Sequence, residues 1–295
     1  ALFSAGPEFP VLVALVALIG IATNLWHPAA ISFLSDLFPD RKGYALSLHV
    51  LGASLADSIA PLTAGVLIGW IAWQGTTFVG ALPSFLGALL LAVVLLRRDT
   101  GTDGKTKAQS IREYFGGIRE MITDKAVLNL CAMTGFRTAT FNGLYVFLPL
   151  YLADVMRFPP VWIGASMTAL QLGAVLGTPV AGVASDRMSR RSIMVVALAF
   201  STVALSGAIF IENGIAFVAA ISTVGFMLFS VRPVIQSWMM DLTPPNVGGS
   251  AISLMFGTQS LLSAITPAAG GIIADAWGLK AVFFMLAGTM LAANF

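Results

Sequence analysis

The chain has 295 residues, 57% hydrophobic and only 10% charged, far below the roughly 25% charged residues of an ordinary soluble domain. A chain this apolar cannot cover itself with polar surface in water, so lipid is its expected solvent. The net charge of +2 and the single cysteine, Cys131, give no footing for nucleic-acid binding, a disulfide framework or a cysteine-based metal cluster. Cys131 sits in an apolar run and is expected to act as a small core hydrophobe.

Roughly 20 apolar residues cross a bilayer, and runs of that kind recur along the whole sequence. Spans are expected at 10–37, 44–70, 74–96, 126–153, 161–184, 192–212, 215–241 and 249–274, with a ninth from 279 to the end. Residues 1–9 read as the tail of one more helix and its turn. There is no starting Met and no signal-peptide pattern, and the chain stops at Phe295 within an apolar stretch, so it is expected to be a piece of a longer protein. Most connections are short, which makes consecutive helices antiparallel neighbours.

One connection differs. Residues 97–125 hold seven of the sixteen basic residues. Their first part is polar, and their second places Ile111, Tyr114, Phe115, Ile118, Met121 and Ile122 at helical spacing. That pattern predicts an amphipathic helix at a membrane surface. The chain therefore divides into 1–96, the end of an N-terminal helical half; 97–125, a linker; and 126–295, a C-terminal helical half. If connections alternate sides, twelve of the basic residues fall on the linker side, against Arg157 and Lys280 on the other. This bias makes the linker side cytoplasmic.

Pro28–Gly65 repeats in Pro233–Gly271. Asp36, Leu37 and Pro39 match Asp241, Leu242 and Pro244; after one inserted residue, Ala45, Ser47, Leu48, Leu55, Ile59, Pro61 and Gly65 match Ala251, Ser253, Leu254, Leu261, Ile265, Pro267 and Gly271. The offset covers six spans, and two related six-helix halves are a transporter architecture.

The turn GVASDRMSRR, from Gly182 to Arg191, resembles the Gly-x-x-x-Asp-Arg-x-Gly-Arg-Arg loop of the major facilitator superfamily. Gly182, Asp186, Arg187, Arg190 and Arg191 match; Ser189 stands where the family prefers glycine. The resemblance implies an all-α membrane protein of twelve helices in two halves. This chain would begin at the end of helix three and stop within helix twelve, about nine transmembrane helices. It implies that the loop is a cytoplasmic gate, with Asp186 and Arg190 latching to Asp241 at the end of helix ten. Ala56, Ala60, Pro61, Ala64 and Gly65 resemble, with alanine in three glycine positions, the helix-five motif of the family's antiporter branch. This favours antiport, hence export, over uniport. LWHPA in helix four, with LH in helix five, is similar to the fosmidomycin-resistance-like efflux branch. The family's usual helix-four arginine is not seen; Val16 falls near its place.

Charges at bilayer depth are costly and need a reason. Asp57 and Arg137 lie near the middle of their spans, and Arg232 about one turn past the middle of its own. In the family, helices one, four, seven and ten line a central cavity. The resemblance then implies a cavity of Asn24, His27, Arg137, Arg232 and Gln236, whose two cations suit a substrate with carboxylate or phosphonate character. The alternative is that either arginine pairs with Asp57 or with helix carbonyls. Asp57, with His49, is the candidate for proton coupling. It shares a helix face with Ala53, Ala60 and Ala64, which points it toward another helix. Gln171 and Gln259 read as bridges between helices.

No histidine-rich cluster, nucleophile motif or phosphate loop is present, and acids are too few in the spans for a carboxylate metal site. No enzyme, metal or cofactor is expected. The reading is a monomeric, multi-pass transporter of the bacterial inner membrane, exporting a small organic molecule, anionic or drug-like, in exchange for protons. A non-transporting sensor or scaffold on the same fold, or an importer or uniporter of a small metabolite, stands as the alternative.

Overall fold

A computed structural model describes residues 8–37, 42–97, 121–187, 189–243 and 248–294, and every regular element among them is helical. In chain order these are α1 (Phe9–Leu37), α2 (Lys42–Arg97), α3 (Lys125–Asp154), α4 (Pro160–Arg187), α5 (Arg190–Ala208), α6 (Gly214–Ser230), α7 (Arg232–Leu242), α8 (Gly248–Trp277) and α9 (Leu279–Ala292). The chain forms two compact units. The first holds α1, α2 and Pro160–Gly164; the second holds α3, the rest of α4, and α5 to α9. Most of the expected linker, 98–120, lies outside the described residues.

In the first unit, α2 runs for 56 residues. At about 1.5 Å per residue this is more than twice the ~30 Å of a hydrocarbon core, so one crossing cannot hold it. The backbone leaves helical geometry at Ile71 (φ −126°, ψ 17°) and Ala72 (φ 55°, ψ 179°), between the spans expected at 44–70 and 74–96. Trp70 and Trp73 flank this break and are exposed, as suits indole rings at a membrane–water interface.

The second unit has capped helices and a dense core. Asp124 Oδ1 accepts the amides of Ala126 and Val127 at the start of α3, at 2.7 and 3.3 Å. Asn213 Oδ1 accepts Ala216 N–H at 3.0 Å at the start of α6. Each side chain takes up donors that a helix start leaves free. Gly278 joins α8 to α9 at φ +81°, a conformation that costs glycine little. Tyr151 of α3, Phe217 of α6 and Phe283 of α9 meet at ring-centroid distances of 4.7 to 6.0 Å. Cys131 is buried in this core, in the place of a small apolar residue. By contrast Val203, Ile215 and Ile272 are at least 70% exposed; outward apolar side chains of this size fit lipid, not water.

Three segments are long and apolar enough to cross a membrane on length and composition: Gly52–Val94, Pro160–Gly177 and Arg190–Ala208. Among the described residues α3 and α8, each of 30 residues, do not reach the same mark. They are long enough, so polar content is what lowers them, and that content proves to be local.

The span expected at 215–241 is not continuous. It breaks at Val231, between α6 and α7. Pro233 has no N–H to give the Phe229 carbonyl; Val231 N–H turns to Phe229 O instead.

Close helix approach in the second unit depends on glycine. A Cβ at Gly225 of α6 would strike the backbone carbonyl oxygen of Leu170 in α4, which cannot swing aside, whereas Gly288 of α9 has open space. Overpacking of this kind costs about 1–3 kcal/mol. Gly225→Ala should therefore lower the unfolding temperature of the purified protein by about 5 °C, and Gly288→Ala should leave it within error of the parent.

Candidate functional site

A cavity of about 280 Å³ opens in the second unit. α3 contributes Arg137, Thr138, Phe141 and Asn142; Phe229 and Arg232 come from the two sides of the α6–α7 break, with Ile235 beyond it; α8 contributes Met255, Phe256, Gln259, Ser260 and Ser263. These polar residues are part of what holds α3 and α8 below the apolarity of their neighbours. On α8, Gln259, Ser260 and Ser263 lie at i, i+1 and i+4, one face of a helix. Gln259 thus lines the cavity, where a bridge between helices was expected. Asn142, Ser260 and Ser263 were missed, although their helical spacing was visible in the sequence.

The break organises the cavity. A helix end leaves its last carbonyls without intrahelical partners. At the end of α6, Ser230 Oγ donates to the Met227 carbonyl at 2.9 Å. Arg137 Nε donates to the Leu228 carbonyl at 3.3 Å, and its Nη1 to the Thr138 hydroxyl at 3.3 Å. Arg137 is only 6% exposed. It therefore does both things the sequence set as alternatives: it binds a helix carbonyl and it lines the cavity. A cation at a helix C-terminus is also favoured by the helix dipole. Arg232 is exposed and opens α7, where the dipole is positive and disfavours a cation. No Asp or Glu stands among the described lining residues. Part of the lining is aromatic, with Phe141 and Phe229 edge to face at 4.7 Å.

A second feature lies at the far end of α7. Arg190, at the start of α5, and Asp241, in the last turn of α7, form an ion pair through Nη1 and Oδ2. Each charge sits at the wrong end of its own helix for the dipole, and pairing offsets both. The side chains are 32% and 59% exposed, so the pair contributes about 0.2–1 kcal/mol. Ser189, where glycine was the family's preference, has a task of its own: its Oγ accepts Ser192 N–H at 3.2 Å and caps α5. Arg191 is exposed.

The other expected site residues belong to the first unit, lie elsewhere in the second, or fall outside the described residues. Asp57 is exposed on α2, so within its unit it does not face another helix as its alanine-lined face predicted. The side chains of Asn24, His27, His49, Gly182, Asp186, Arg187 and Gln236 lie outside the described residues; their backbones run in α1, α2, α4 and α7. Gln171 is buried, but its Oε1 finds no hydrogen-bond partner, so that oxygen makes no bridge.

Membrane-length helices with outward apolar side chains are the features of a polytopic membrane protein. The sequence profile of the Major Facilitator Superfamily matches residues 1–259 and 163–295, and the chain belongs to that family. It is 25% identical over 297 residues to the multidrug efflux pump Tap of Mycolicibacterium fortuitum, covering 95% of this chain and 70% of that protein. It is 24% identical over 293 residues to the fosmidomycin resistance protein of Escherichia coli (strain K12), covering 94% of this chain and 67% of that one. Among solved structures, a bacterial homologue of the iron transporter ferroportin in its inward-facing state superposes with a TM-score of 0.70 at 21% identity. That match covers 87% of this chain and 62% of the other, so the chain spans less than two thirds of that transporter.

The ion pair supplies a test. In the full-length protein, Arg190→Asp or Asp241→Arg should slow substrate flux several-fold at unchanged abundance, and the double exchange should recover most of it. Two single variants with parental flux would remove the pair from the transport cycle.

Proposed function

We propose that the protein is a proton-coupled exporter of a small organic molecule, working by alternating access as a monomer in the bacterial inner membrane. The observation that carries this reading is the cavity of the second unit. It combines an aromatic wall with hydrogen-bonding groups and two cations, a lining that holds amphipathic molecules by shape and a few polar contacts. Relatives named as a multidrug efflux pump and a fosmidomycin resistance protein support export over import, as does the helix-five resemblance.

In this reading the Arg190–Asp241 pair belongs, with the loop residues Gly182, Asp186, Arg187 and Arg191 of the family resemblance, to a cytoplasmic latch that closes and opens once per cycle. Asn24, His27 and Gln236 are the further substrate residues that the family resemblance implies. Asp57 carries the proton, with His49 nearby in sequence. An exposed carboxylate in the middle of a span is expensive unless it has a function, and Pro61, four residues on, leaves the Asp57 carbonyl without its helical partner.

Reconstituted full-length protein tests this. With an imposed pH gradient it should move substrate against its concentration gradient. Asp57→Asn should abolish that uphill movement yet keep exchange of labelled for unlabelled substrate. Uphill transport by Asp57→Asn with unchanged pH dependence would exclude Asp57 as the carrier. Orientation has its own check: a cysteine replacing Lys105 should resist impermeant thiol reagents in intact cells, and ready labelling from outside would invert the topology.

A further inference from the structure

We infer that the α6–α7 break is an anion subsite, and that the favoured ligand is an organic carboxylate or phosphonate with an aromatic or aliphatic body. The proposal rests on the transporter reading and names the substrate class at its cavity.

The argument is one of charge balance. Arg137 is held at 6% exposure, yet its hydrogen bonds go to the Leu228 carbonyl and the Thr138 hydroxyl, both neutral. A guanidinium has five N–H donors, and these contacts use two. Arg232 adds a second positive charge to the same lining, and no carboxylate among the described lining residues answers either. Two cations lining one cavity repel each other, and a buried charge without a counter-charge, as at Arg137, is costly. A bound anion relieves both penalties at once.

The backbone works in the same direction. The first turn of α7 has amides that no intrahelical carbonyl can take, and the N-terminal end of a helix attracts negative charge. Discontinuous membrane helices present such ends to anionic groups. The α7 end opens where Arg232 lines the cavity.

The remaining lining sets the rest of the ligand. Gln259, Ser260 and Ser263 on α8 and Asn142 on α3 offer hydrogen bonds to a headgroup oxygen. Phe141, Phe229, Met255 and Phe256 form an apolar wall that suits a hydrocarbon body. A small inorganic ion would leave that wall without a partner. A cationic amphiphile would fit the wall and be repelled by the two arginines.

Binding of four matched probes to the purified full-length protein in lipid nanodiscs tests this: phenylbutyrate, phenylbutylphosphonate, phenylbutyramide and phenylbutylamine. The two acids should bind at least about tenfold tighter than the amide, and the amine weakest. Comparison of the two acids decides which headgroup the subsite prefers. Arg232→Gln should cut the preference for acid over amide several-fold while changing amide binding little. Arg137→Gln should do the same; because Arg137 also caps α6, a variant that fails to fold leaves the decision to Arg232→Gln, whose side chain is exposed. Arg157→Gln, in the α3–α4 turn, should behave as the parent. Equal binding of acid and amide, no binding of either acid, or an acid preference untouched in Arg232→Gln would overturn the subsite. Uphill efflux without an acid preference would defeat this inference and leave the exporter standing; an acid preference without gradient-driven flux would do the reverse.

Discussion

The hydrogen bond from Arg137 to the Leu228 carbonyl is the contact on which the second unit's cavity depends. It exists because Pro233 cannot donate to Phe229 and so parts α6 from α7 at Val231. The break also takes from the Leu228 carbonyl the amide of Arg232, its donor in an unbroken helix, and in lipid such a carbonyl must find another donor. Arg137 provides one and is fixed in place by doing so. A span that would otherwise be an unbroken wall thus gives a cavity with a charged floor, the open end of a second helix, and a place for Arg232 at its edge.

The rest of the unit reads as support for that arrangement. α3 and α8 carry the polar residues that line the cavity, and the aromatic cluster of Tyr151, Phe217 and Phe283 ties α3 to α6 and α9. Gly225 lets α4 come against α6. α7 links the two functional features: Arg232 begins it at the cavity, and Asp241 holds Arg190 in its last turn. Eleven residues of helix are about 16 Å long, a short rigid rod.

Much of this was legible in the sequence because lipid imposes a simple rule. Long apolar runs give the spans, and the break in α2 fell between two of them. Arg137 and Arg232 stood out because charge inside a span is rare. The break at Val231 was not legible, since Pro61, Pro83, Pro149 and Pro267 all sit inside helices that continue; a proline alone does not say whether its helix bends or ends. Gln259 and Gln171 looked alike as polar residues in apolar helices. Only packing separates them: Gln259 lines a cavity, whereas Gln171 is buried with its oxygen unpartnered. The Arg190–Asp241 pair was reached by resemblance to a family loop, and Ser189 as an α5 cap shows that a departure from a motif can have a local structural cause.

The central claim is that the helical hydrogen-bond ladder lapses at Val231, so that the first amides of α7 have no intrahelical partner. Backbone hydrogen exchange on the full-length protein addresses it directly, through the amides of Arg232 and Val234. Open ends of helices exchange far faster than helix interiors. The account predicts rapid exchange at these two positions against strong protection across 221–227, and protection restored at both in Pro233→Ala, where the helix can run on. Protection at Arg232 and Val234 in the parent protein equal to that of 221–227 would mean an unbroken helix, and would contradict the account.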